Sequence, residues 1–298
     1  LFSVIIYLIY ISSPLTVHLP LMGVFILAAY RAIPMIQNIY SNINIYKLYS
    51  PAFDQIEHIL IESEKLKKKS EDKIIDLELK QHILFDNISF GYTKNNLLIK
   101  NLSFKINANI MTSIIGSTGQ GKTTLIDLCL GFFNPNSGTI YIDDIPLNKS
   151  NRLTFNKMIG YVPQTINLHE GSLSENIALG IKKDTIDFDI IEKLVQTLDL
   201  RSVVSSLNKG IHGDIGDRGM KLSGGQRQRI GIARALYLNP KILILDESTN
   251  ELDSKTEANI LADIKKKYPS ITIIMITHRL SSLKLADDVI LLKDNIMH

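Results

Sequence analysis

The chain has 298 residues, room for one large domain or two modest ones, and a formal charge of +3, too near balance for a nucleic-acid surface. Its single cysteine, Cys129, excludes an internal disulfide and reads as a small buried hydrophobe. Among residues 1–36 only Arg31 carries a charge, whereas 57–80 is crowded with charge, so the N-terminal end belongs in or on a membrane and the rest is cytosolic in character.

Leu1 to Ile11 is almost wholly apolar but short of the ~20 residues that span a bilayer. It reads as the tail of a membrane helix, since it has neither the basic start nor the small-residue cleavage site of a signal peptide. Because the sequence begins in mid-run without Met, a fragment of a longer protein is expected. Ser12-Ser13-Pro14 marks a turn, and Leu19 to about Ile36 is a second apolar run able to span if its helix continues a little. From Gln37 the pattern turns polar and helical, with Ile39, Ile43, Tyr46 and Tyr49 at helical spacing. Ser50-Pro51 reads as the N-cap and first residue of a new helix carrying Phe53, Ile56, Ile59 and Leu60. Lys65 and Lys67–Lys69 follow as a solvated basic cluster, placed where the positive-inside rule puts the cytoplasm. The expected division is 1–50 for the end of a membrane domain, 51–80 for a helical linker, and 81–298 for a globular domain.

In that domain Ile83–Tyr92, Leu102–Ile106, Ile110–Ile115, Gly138–Asp143 and Met158–Val162 read as strands. Lys122–Leu130, Ser172–Leu179, Asp189–Leu200 and Ser223–Leu238 read as helices. Strands and helices then alternate through Ile242–Leu245, Ser254–Lys267, Ile271–Ile276, a short helix from about Ser281, and Val289–Leu292. This is the α/β rhythm of a mostly parallel sheet with a helical insert between Gln164 and Leu238.

Gly116-Ser-Thr-Gly-Gln-Gly-Lys-Thr-Thr124 organises the domain. It fits G-x-x-x-x-G-K-[ST], with Gly116, Gly121, Lys122 and Thr123 at the fixed positions, between an apolar strand and a helix. Glycines let the backbone N–H groups of Ser117, Thr118, Gly119, Gln120 and Gly121 turn toward phosphate, and the helix adds its positive end. Lys122 would reach the β- and γ-phosphates and the Thr123 hydroxyl would hold Mg²⁺. A buried strand ending in Asp246-Glu247 delivers two carboxylates beside that loop; Asp246 suits the metal and Glu247 the attacking water, although acidic residues also cap helices there. Leu222-Ser223-Gly224-Gly225-Gln226 opens a further helix as a second anion site, most simply used on another subunit's nucleotide.

With these residues the sequence resembles the ATP-binding cassette (ABC) family over about residues 81–298. The resemblance implies a P-loop ABC ATPase fold with a helical subdomain. GSTGQGKTT is similar to Walker A and Ile242–Glu247 to Walker B. Tyr92 matches the aromatic that stacks on adenine, and Gln164 the glutamine that senses the γ-phosphate and joins Thr123 and Asp246 at Mg²⁺. Leu252-Asp253 matches the D-loop and His278 the switch histidine. Gly213–Gly219 resembles the exporter x-loop, with Gly213 and Asp214 in place of Thr and Glu, and Gly171–Gly180 resembles the exporter stretch after the Q-loop.

The resemblance therefore implies an exporter-type half-transporter in a cell's inner membrane, multi-pass, with a cytoplasmic cassette. It would act as a head-to-tail dimer with a second copy of itself, binding two ATP. Each site would take Lys122, Thr123, Gln164, Asp246, Glu247 and His278 from one chain, and Ser223 and Gly225 from the other. Elements beyond the Asp294-Asn295 turn are expected to be missing. Ala28–Tyr40 and Ser50–Asp54 resemble the last membrane helix of bacterial lipid-linked oligosaccharide flippases, so Arg31 is a candidate contact for a lipid pyrophosphate or a headgroup anchor. A peptide or drug exporter, or a soluble ABC ATPase, stand as alternatives.

Overall fold

In the computed structural model the described residues are 3, 7, 15–69, 77–93, 96–117, 119–293 and 296–297. The chain divides into two compact units, Leu1–Asp72 and Lys73–His298.

Among the described residues the first unit carries a long helix, α1, Leu15–Lys69, with Pro20, Pro34 and Pro51 inside it. The expected break at Ser50-Pro51 does not occur. Pro51 removes one backbone bond, but stopping there would strand several N–H and carbonyl groups at two new ends and require a second costly nucleation. Within it, Met22–Ile61 is, among the described residues, the one stretch long and apolar enough to cross a membrane, by length and composition. Phe25, Leu27, Ile33, Ile36 and Phe53 on α1 are exposed, so this apolar surface has no partner within the helix. The Ser12-Ser13-Pro14 turn, almost all of Leu1–Ile11 and the Asp294-Asn295 turn lie outside the described residues.

The second unit contains two sheets where one was expected. Strands β1 (His82–Phe90), β2 (Ile99–Asn107), β4 (Ser137–Ile142) and β5 (Ile145–Pro146) form an antiparallel sheet in the order β2-β1-β4-β5. Strands β3 (Met111–Gly116), β6 (Ile159–Val162), β7 (Ile242–Asp246), β8 (Thr272–Ile276), β9 (Asp288–Lys293) and β10 (Ile296–Met297) form the other, ordered β10-β9-β3-β8-β7-β6. Its central pairings are parallel, and only β10 runs against β9. Chain length explains the antiparallel pairing of β1 with β2. The link between β1 and β2 is too short for the crossover that parallel pairing needs, so the two close as a hairpin.

The parallel strands are linked through helices α2 (Lys122–Leu130), α3 (Arg152–Lys157), α4 (Leu173–Ile177), α5 (Phe188–Thr197), α6 (Arg201–Ser206), α7 (Gly224–Tyr237), α8 (Ser254–Lys267) and α9 (Leu280–Leu283). Of these, α3 and α6 are not among the helices expected from the sequence. Every residue of β7 and β8 is buried, the sign of a sheet covered on both faces. Alternation divides them between two cores. Ile242, Ile244, Ile274 and Ile276 join Phe85, Ile99 and Leu125 under the antiparallel sheet and α2. Leu243, Leu245, Ile273 and Met275 face Leu194, Ile232 and Ile260 of the helices on the other side. Cys129 lies in the first core, where burial pushes its thiol up to about 12, so the apolar reading holds.

Candidate functional site

The carboxyl ends of β3, β8, β7 and β6 lie side by side, because Ile114 pairs with Ile276, Ile276 with Asp246, and Leu245 with Val162. Ligand sites of open parallel sheets form along this edge. Here it gathers the loop after Gly116, Thr277-His278, Asp246-Glu247 and Gln164.

At the first of these, β3 gives way to a loop and then to α2. Gly121 at the helix N-cap has φ +90°, a left-handed turn open to glycine at no steric cost. Gly116 meets a different limit, since a Cβ there would lie 2.7 Å from the Leu292 carbonyl and 2.8 Å from Gln120 Oε1. Gln120 folds inward, its Oε1 accepting from Ser117 N at 2.8 Å. Lys122 is 6% exposed and donates to the carbonyls of Gly116 at 2.8 Å and Ser117 at 3.0 Å. Burial pulls its pKa below the ordinary lysine value, partly countered by the fields of Glu247 and Asp246. Thr123 and Gly119 are exposed, and Thr118 lies outside the described residues. Thr124 turns away, its Oγ1 2.9 Å from the Tyr92 hydroxyl. The Tyr92 ring packs edge-on against Phe90 and Phe133 while remaining 60% exposed.

Asp246 closes β7 with its side chain buried, and burial pushes its carboxyl above the usual range. The Tyr161 hydroxyl donates to Asp246 Oδ2 at 3.3 Å. Glu247 follows in the left-handed region at φ +48°, a costly conformation for a residue with a side chain. The strained turn swings its carboxylate into a three-sided grip. His278 Nε2 lies 3.0 Å from Oε1, Gln164 Nε2 donates to Oε2 at 3.2 Å, and Asn250 Nδ2 donates to Oε2 at 3.4 Å. Glu247, Gln164 and His278, well separated in sequence, thus meet at one carboxylate. Tyr161 and Asn250 were missed in the sequence, because a tyrosine in a strand and an asparagine in a turn carry no motif of their own.

Ser223 caps α7 reciprocally, its Oγ accepting from Gln226 N at 3.2 Å while Gln226 Oε1 accepts from Ser223 N at 2.8 Å. Gly224 and Gly225 follow, and a Cβ on Gly224 would collide with Glu251 Oε2 at 1.4 Å. Ser223, Gly224, Gly225, Arg229 and Asp253 line an open cleft of about 330 Å³. Among the described residues no hydrogen bond or ion pair joins Ser223–Gln226 to the loop at 116–124, so the two glycine-bearing helix starts stand apart on one chain.

The cradle fits a nucleotide with a divalent cation. An ammonium satisfied only by loop carbonyls can be redirected to phosphate, and a buried carboxylate with a raised pKa gains from a cation. An α/β fold with a glycine loop and paired carboxylates on one sheet edge defines a P-loop nucleotide-binding protein. Residues 99–250, just over half of the chain, match the ABC transporter family model, and the chain belongs to that family. An export ATP-binding/permease protein of Rickettsia felis is 40% identical over 212 residues, 70% of this chain and 36% of that protein. The heterocyst differentiation ATP-binding protein HepA of Nostoc is 34% identical over 293 residues, 98% of this chain and 48% of that protein. The ATP-dependent lipid A-core flippase of Cupriavidus metallidurans is 36% identical over 213 residues, 71% of this chain and 36% of that protein. A solved bacterial Atm1-family ABC exporter with ATP bound aligns with a TM-score of 0.70 and 32% identity, over 76% of this chain and 39% of that one. The chain spans less than half the length of each of these relatives.

Proposed function

We propose that this chain carries the ATP-hydrolysing cassette of an exporter-type half-transporter, preceded by the end of its membrane domain and working as a homodimer in the inner membrane. The carrying observation is the Glu247 carboxylate, held at one point by His278, Gln164 and Asn250 beside the Lys122 loop. Lys122 and the loop N–H groups bind the β- and γ-phosphates, and Tyr92 packs on the base. Thr123, Asp246 and Gln164 would hold Mg²⁺, which when bound would neutralise charge developing on the phosphates. Glu247 takes a proton from the attacking water, and His278 steadies the γ-phosphate. Ser223, Gly224, Gly225 and Gln226 serve the nucleotide of the second copy. The two glycine-bearing helix starts, standing apart on one chain, support that division. Arg31 and the likeness to a lipid A-core flippase support a lipid-linked anionic cargo, a lipid-linked oligosaccharide among them.

Glu247→Gln keeps the shape of the side chain but cannot accept the proton. In the full-length protein it should retain ATP binding, lose ~10²–10⁴ in turnover, and accumulate an ATP-bound dimer on gel filtration. Turnover at the wild-type rate would remove Glu247 from the role of base.

A further inference from the structure

Helix α8 buries Glu257, Ile260, Leu261 and Ile264 on one face, and Glu257 is the carboxylate on that otherwise apolar stripe, 1% exposed. Burying a charge there costs more than burying another isoleucine, and apolar replacements of such pairs are often neutral or stabilising. Its presence therefore calls for a geometric reason. Glu257 Oε1 accepts from Thr249 Oγ1 at 2.5 Å and from Ser282 Oγ at 2.7 Å, while Oε2 lies 3.5 Å from Arg279 Nη1. The Arg279 fork then reaches the loop after β7, with Nη1 donating to the Leu252 carbonyl and Nη2 to the Asn250 carbonyl, each at 2.5 Å. Asn250 in turn donates its side-chain amide to Glu247 Oε2 at 3.4 Å. Arg279 also directly follows His278, which holds the other Glu247 oxygen.

We propose that Arg279, anchored by the buried Glu257, is a positioning residue for Glu247. It clamps the loop at 250–252 so that Asn250 and His278 hold the carboxylate from both sides. The proposal rests on the reading of Glu247 as the base. A lysine cannot replace the clamp, because an ammonium is a point charge whereas the planar fork spans two carbonyls.

The test is steady-state ATP hydrolysis by the full-length protein carrying Arg279→Lys, Asn250→Ala, both together, or Glu247→Gln, with Tm measured for each. Arg279→Lys keeps a cation opposite Glu257 and should fold, yet lower kcat roughly 10- to 100-fold, the range a misplacement of about 1 Å can produce, with KM for ATP within about twofold. Asn250→Ala should lower kcat similarly. The double variant should be no slower than the slower single, because both substitutions break one linkage. Unchanged kcat in a folded Arg279→Lys protein would overturn the proposal. So would losses that multiply in the double variant, or a loss of kcat that travels with a raised KM and a lowered Tm. If Arg279→Lys does not fold, Asn250→Ala decides, since Asn250 is exposed and unchanged kcat there removes the link. Turnover surviving in Glu247→Gln would refute the base instead, separating that failure from this one.

Discussion

Lys122→Met separates the two things a buried lysine can do. Among the described residues its ammonium donates to the carbonyls of Gly116 and Ser117, within the fields of Glu247 and Asp246. Removing it forfeits two charge-assisted bonds but also relieves the cost of holding a charge away from water. Ser117 is exposed and Gly116 half-buried, so water can reach the freed carbonyls. The two terms oppose, and the nucleotide-free protein should shift in stability by less than about 1 kcal/mol, ~2–4 °C in Tm for a domain of this size. Nucleotide binding has no such compensation. Truncating one partner of a desolvated charge pair costs ~2–5 kcal/mol, about 30- to 4,000-fold in affinity. With ATP at ~100 times the wild-type Kd, the wild type gains about 2.7 kcal/mol and the variant under about 1 kcal/mol. A thermal-shift assay with and without ATP and Mg²⁺ should thus show a wild-type rise of ~5–11 °C that is largely absent in Lys122→Met. An equal ATP-induced rise in both proteins would refute the phosphate role. A large fall in the nucleotide-free Tm would show that Lys122 is chiefly structural.

Asp143, the first residue of the turn after β4, accepts from the backbone N–H groups of Lys80, Gln81 and His82 at 3.0, 2.8 and 2.8 Å. Burial alone would raise its carboxyl, but these three bonds hold it below the usual value. The stability it contributes is therefore present above the ordinary carboxylate pKa of ~3.9 and is lost as pH falls through the lowered one. Asp143→Asn should lower Tm at neutral pH and converge with the wild type in acid; parallel Tm–pH curves would contradict this. For the cargo, Arg31→Ala in the full-length protein should spare basal ATPase activity yet abolish flipping of a polyprenyl-pyrophosphate glycan in vesicles, with Arg31→Lys restoring only part. Undiminished flipping by Arg31→Ala would return the residue to a membrane anchor.

Local signals in the sequence mark α2 and α8 to the residue. Gly131 ends α2 in a left-handed cap, and Asp253 begins α8 by accepting from Thr256 N at 2.9 Å. Both are short-range devices that leave a mark in composition. The second sheet leaves none, because pairing between β1 and β4 depends on which strands meet in space, and an apolar run looks alike in either sheet. Ser50-Pro51 misleads for the opposite reason: the local signal is present, but the helical residues on both sides outweigh it. At the site, the loop and the Walker-like carboxylates are legible because their chemistry fixes spacing. The Glu257–Arg279 pair is not. A glutamate in a helix that also carries four lysines and an aspartate reads as solvated surface, and only the packed fold shows it facing inward.

Cys129 has a practical consequence. It is the sole thiol of this sequence, it is 3% exposed, and its ionisation is displaced to about 12, so at neutral pH a maleimide or methanethiosulfonate reagent finds almost no thiolate and no access. The cassette is thus already silent toward thiol chemistry without engineering. A cysteine introduced at an exposed position such as Ser205 or Lys149 would be the one site in this sequence to take a spin label or fluorophore. Under the proposed pairing of two copies, distances between identical labels could then be measured with and without ATP on an otherwise unaltered sequence.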